Sequence, residues 1–101
     1  MTAQIIVYTI SCVEFLFDRA KDRINKKKHG ISLRLVADFD FDAALFVIDD
    51  REDYGEVRIR AFGFLDARLH ALVFTQEGEN IRAISLRKAT KHEENEYEES
   101  R

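Results

Sequence analysis

Leu69-His70-Ala71-Leu72-Val73-Phe74-Thr75 is a nearly continuous apolar run in a chain of 101 residues. A strand buried on both faces reads this way, because neither of its alternating sides meets water. Residues 69–75 are therefore the expected centre of a sheet. Before them, Leu65-Asp66-Ala67-Arg68 makes a tight turn that follows a second strand, Glu56 to Phe64. In that strand Val57, Ile59 and Ala61 point one way, and Arg58, Arg60 and Phe62 the other. After the apolar run, Gln76 to Asn80, around Gly78, turns the chain into a third strand, Ile81 to Arg87. Strict alternation puts Arg82, Ile84 and Leu86 on one face of it, and Ala83, Ser85 and Arg87 on the other. Ala44 to Ile48, ended by Asp49-Asp50, is a fourth strand. Connections of hairpin length imply antiparallel neighbours.

Helices flank this meander. Asp18 is a good N-cap for a helix over Arg19 to Lys28, and Gly30 a good stop beyond it. Lys21, Asn25 and Lys28 share one face of that helix, beside a thin apolar stripe of Ala20 and Ile24. Ser32 caps a second, short helix to about Phe39, with Leu35, Val36 and Phe39 expected inward. Thr90 and Glu93 match a capping box, so a last helix begins near Lys91. Gln4 to Ile10 and Glu14 to Phe17 read as short extended segments. The expected fold is α+β, with N-terminal helices, an antiparallel sheet of about four strands and a C-terminal helix. Residues 1–14 form an N-terminal extension, read as an added strand, ahead of one domain over residues 15–101.

Composition narrows the function. Hydrophobic residues make up 46% of the chain, enough for one folded core. A single cysteine, Cys12, forms no internal disulfide, which suits a reducing cytoplasm; it reads as a buried apolar filler. No stretch is long enough to span a membrane, and Met1 to Val13 lacks the basic start of a signal peptide. One Cys and three scattered His give no zinc spacing, and Asp38, Asp40 and Asp42 lack the rest of a calcium loop. Neither a metal nor a cofactor is expected.

The net charge of −3 argues against a general nucleic-acid coat, but the charge is segregated. Residues 19–34 hold seven Lys/Arg against one acid, and residues 38–56 hold eight acids against one base. Two such blocks suggest two surfaces with different partners. Lys28, Arg58, Arg82, Arg87 and Lys88 would converge if their elements were adjacent, and guanidiniums bind phosphate and stabilise charge that builds on it. Taken singly, each would as readily pair with an acid or solvate the surface. His29 lies beside the lysine cluster, where an imidazole can exchange a proton with a ribose hydroxyl or simply cap the helix. His70, inside an apolar strand, reads as structural, and His92 as solvated.

Several features then coincide in order: Phe17-Asp18, Lys21, Asn25, Lys28-His29-Gly30-Ile31-Ser32, Phe39-Asp40, Gly55-Glu56-Val57-Arg58 and Gly63. Ile81 to Thr90, Glu93 and Tyr97 close the series. From about Phe15 to Tyr97 the chain resembles the BrnT family of toxins from bacterial type II toxin–antitoxin systems. It departs from the family's pattern at Phe17, where Trp is usual, at Leu86, where Ala is usual, and at Val57, where a polar residue is usual. The resemblance implies a RelE-like fold and a metal-independent endoribonuclease that stops translation. It also implies a BrnA-like ribbon-helix-helix antitoxin, with DNA reached only through the complex. The site it implies has His29, Arg58, Arg82 and Arg87 as catalytic residues and Lys28, Lys88 and Lys21 as RNA-binding residues. A homo-oligomer stays open. So does a non-catalytic interaction module of the same fold that binds an antitoxin-like partner.

Overall fold

The computed structural model describes residues 5–10, 13–50 and 55–100. Cys12, expected to be a buried apolar filler, and residues 51–54 lie outside them. The elements in order are β1 (Ile5–Ile10), β2 (Val13–Asp18), α1 (Arg19–His29), a 3-10 helix (Leu33–Asp38), β3 (Leu45–Asp49), β4 (Arg58–Leu65), β5 (Arg68–Glu77), β6 (Asn80–Lys88) and α2 (Lys91–Glu99). The class is α+β, as expected. The sheet is wider than expected, with six strands among the described residues, in the order β1-β2-β6-β5-β4-β3. It is also mixed, because β2 runs parallel to β6. That pairing joins segments over sixty residues apart, and nothing local in either strand signals it.

β5 is central, as its apolar run requires, and is buried over most of its length. One face of the sheet carries the main core. Ala61 of β4, Leu72 and Phe74 of β5, Ala83 and Leu86 of β6, and Phe17 of β2 meet Leu33, Val36 and Phe39 there. We call this the core face. Leu33, Val36 and Phe39 recur every third residue, the period of a 3-10 helix, so they share one side. Leu35, expected inward on an α-helical period, is 37% exposed. The outer face has a smaller cluster, where Phe62, Leu69, Ala71 and Ala89 pack under Tyr97 of α2.

The helix ends follow the local signals. The Asp18 carboxylate accepts from the Ala20 N–H, and Gly30 closes α1 in the left-handed region at φ 72°. Thr90 and Glu93 form the capping box at the start of α2.

α1 docks through polar groups rather than through an apolar stripe. Its buried residues are Asp22 and Asn25, while Ile24 is 58% exposed. The Asp22 carboxylate accepts from the Leu33 N–H at 2.7 Å and the Ser32 hydroxyl at 3.0 Å, which ties the 3-10 helix to α1. Asn25 binds β6 beyond its last pairing with β2, Phe17 with Ala83. Its amide donates to the Leu86 carbonyl at 2.8 Å and accepts from the Leu86 N–H at 3.0 Å. A second donor bond reaches the Ile31 carbonyl at 2.8 Å. Asn25 thus satisfies backbone groups that a longer β2 would otherwise have paired.

Candidate functional site: a guanidinium face bounded by the end of α1

The outer face holds the arginines because of one irregularity. Val73 pairs with Ser85 but Phe74 pairs with Ala83, so Ile84 is an extra residue in β6. Such a bulge shifts the alternation by one position. Ile81, Ala83 and Leu86 therefore pack toward the core, while Arg82, Ser85 and Arg87 share the outer face. Strict alternation had placed Arg82 and Arg87 on opposite faces; the bulge corrects this.

The register then defines rungs across the outer face. Arg87 of β6 lies opposite Ala71, which lies opposite Phe62 and then Leu45. The next rung is Ser85, Val73, Arg60 and Val47. Beyond it, Arg82 lies opposite Thr75, and Arg58, one position beyond the Ile59–Phe74 pair, continues that rung to the buried Asp49 of β3. Neighbouring strands lie about 4.8 Å apart, so Arg58 and Arg82 sit about 10 Å apart at the backbone. α2 covers the Phe62 and Ala71 end of this face. Four guanidiniums therefore belong to one sheet surface.

Their neighbours differ. Arg58 Nε is 3.6 Å from Glu56, and Arg82 is 3.1 Å from Glu77, both carboxylates being more than 40% exposed. An exposed pair of this kind contributes about 0–1 kcal/mol, so an incoming phosphate can replace Glu77 at Arg82; Arg58 also lies opposite Asp49 of β3, which is buried. Arg87 is bound more firmly. Both of its terminal nitrogens donate to Glu93 at 2.8 Å. Chiefly through those bonds, against an opposing loss of solvation, the Glu93 carboxyl is lowered to about 2. This pair ties α2 to β6, so Arg87 has a structural duty that its sequence position did not disclose.

Arg60 was missing from the expected site, although its alternation with Arg58 was visible in the sequence. Its guanidinium lies 5.7 Å from the centre of the Phe62 ring. Its Nε is buried with no hydrogen-bond partner among the described residues.

Lys21, Lys28 and His29 stand at the border of this face. With Ile24 and Asn25 of α1 and Ile84 and Ser85 of β6 they line a cleft of about 150 Å³. His29 is held below its ordinary value of 6.5 by loss of solvation, then by the positive charges of Arg87 and Lys28. A neutral imidazole at pH 7 follows, with a lone pair available to take a proton. The bulge residue and the serine after it thus join the α1 cleft to the arginine face. Lys88 does not join them: it lies opposite His70 in the register, on the core face. His70 is buried with Nδ1 2.8 Å from the Arg68 carbonyl, a structural arrangement. His92 is largely exposed beside Glu96.

In comparison with known proteins, residues 17–93 match the family model described as ribonuclease toxin, BrnT, of type II toxin–antitoxin system. None of the curated proteins matches the chain.

Proposed function

We propose, from the premise that this chain belongs to the BrnT family of ribonuclease toxins of type II toxin–antitoxin systems, that it cleaves RNA across the arginine face. The observation that carries the reading is the placement of Arg58, Arg60, Arg82 and Arg87 on one outer surface beside the His29 cleft. In the reaction His29 takes the proton from a ribose 2′-hydroxyl. The 2′-oxygen bonds to phosphorus, the bond to the 5′-oxygen breaks, and a proton returns to that leaving oxygen. Arg58, Arg60 and Arg82 stabilise the charge on the non-bridging oxygens, the task a metal performs in other nucleases. Arg87 acts on His29 through its charge and holds α2. Lys21 and Lys28 bind the flanking backbone, and Lys88 contributes at most from the far side of β6. Cleavage takes place in the cytoplasm and stops translation until a BrnA-like ribbon-helix-helix antitoxin binds.

The ion pairs of Arg58, Arg82 and Arg87 favour a second reading, in which the fold persists as a non-catalytic partner of the antitoxin. One experiment separates the two. Purified chain, freed of antitoxin, is incubated with RNA in the presence of a chelator, beside His29→Ala, Arg58→Ala and Arg60→Ala. The wild type is expected to cut. The arginine variants are expected to lose about 10²–10³-fold and His29→Ala about 10²–10⁴-fold. RNA left intact by the folded wild type would refute the nuclease reading and leave the binding module.

A further inference from the structure

The 3-10 helix covers part of the core face, and Ala37 of that helix and the adjoining Phe39 border the part left open. The open part is a groove of about 610 Å³ floored by Phe15 and Phe74 and flanked by Phe41 and Phe46. Asp40, Asp42 and Glu79 also line it, and among the described residues no Lys or Arg does. Beside it, Phe46 and Ile48 of β3 are 48% and 66% exposed, and Val57 is 65% exposed. β3 is an edge of the sheet, yet Leu45–Asp49 carries no Lys and no Pro, the residues that usually keep an edge from pairing. Exposed apolar side chains gathered at a groove mark an interaction surface.

Charge selects the occupant. Two copies meeting through this groove would bring their own aspartates together, which opposes a symmetric dimer. RNA is excluded by the same acids. A segment with apolar anchors between Lys or Arg residues fits both the phenyl rings and the rim. We propose that this groove is the docking site for such a basic, apolar-anchored segment of the antitoxin. The proposal rests on the toxin–antitoxin reading and adds to it a surface: the antitoxin grips the sheet on the face opposite the arginines.

The test measures binding of the purified antitoxin to wild type, Ile48→Asp, Asp42→Lys and Arg60→Ala, with RNA cleavage and thermal unfolding recorded for each. Ile48 and Asp42 are exposed, so both groove variants are expected to fold as the wild type does. Each is expected to weaken antitoxin binding by about tenfold or more and leave cleavage unchanged. Arg60→Ala is expected to lose cleavage and keep the antitoxin. Weakened binding in the groove variants with no cleavage by any version supports the docking site while refuting the nuclease. Unchanged affinity in both groove variants overturns the proposal. It is also overturned if Ile48→Asp converts a dimer of the isolated chain to monomer, which assigns the groove to a second copy.

Discussion

Replacing Asn25 by alanine tests how the cleft is held. The side chain is 4% exposed and makes three hydrogen bonds, two to Leu86 and one to Ile31. Each bond contributes about 1 kcal/mol net, and a buried partner left alone costs about 1–3 kcal/mol. Truncation strands the N–H and C=O of Leu86, a residue of zero exposure, so the loss should be about 3–5 kcal/mol. A domain of this size is stable by about 5–15 kcal/mol, so the variant should stay folded but shift strongly in urea. Asn25→Asp sharpens the test. The aspartate can still accept from Leu86 N–H but faces the carbonyls of Leu86 and Ile31 with no donor when ionised. Its folded-state pKa must then lie above its unfolded value. The variant is therefore most stable at acid pH and loses stability as pH rises through that raised pKa. The alanine deficit should not vary with pH in this way. A loss below about 1 kcal/mol in Asn25→Ala, or a pH-independent deficit in Asn25→Asp, would refute the assigned role of the amide.

Three further outcomes are expected. Cleavage should need neutral His29, so the rate should be level near pH 7 and fall along an acid limb below 6.5; Arg87→Ala removes a nearby positive charge and should move that limb upward, and an unmoved limb in pH–rate profiles counts against His29 as the base. Glu93 has a folded-state pKa of about 2 against an ordinary 4.5, so its contribution is complete above pH 4.5 and is lost as pH falls through about 2. Glu93→Gln should lower stability at pH 7 by about 1–2 kcal/mol, after allowing for solvent screening, and flatten the urea-measured profile in that window. Gly63→Ala places a methyl 2.7 Å from Phe39 Cζ and 3.0 Å from the Asp40 carbonyl oxygen, so thermal unfolding should report a loss of about 1–3 kcal/mol.

The sequence by itself determined the parts whose causes are local. Asp18, Gly30 and the Thr90–Glu93 box set helix ends because a cap acts on N–H and C=O groups within a few residues. The apolar run of β5 set the sheet centre, and the basic block marked α1 and His29 as one border of the proposed site. Tertiary structure decided what depends on distant partners. The Ile84 bulge exists only relative to β5, yet it puts Arg82 and Arg87 on one face. Asn25 and Asp22 look like surface residues of a polar helix until Leu86 and Leu33 supply the backbone groups they satisfy. The same holds for the parallel β2–β6 contact. Short-range hydrogen bonding leaves a readable pattern in neighbouring residues. Strand register and buried polar contacts across the chain depend on which surfaces meet, and the local pattern does not record that.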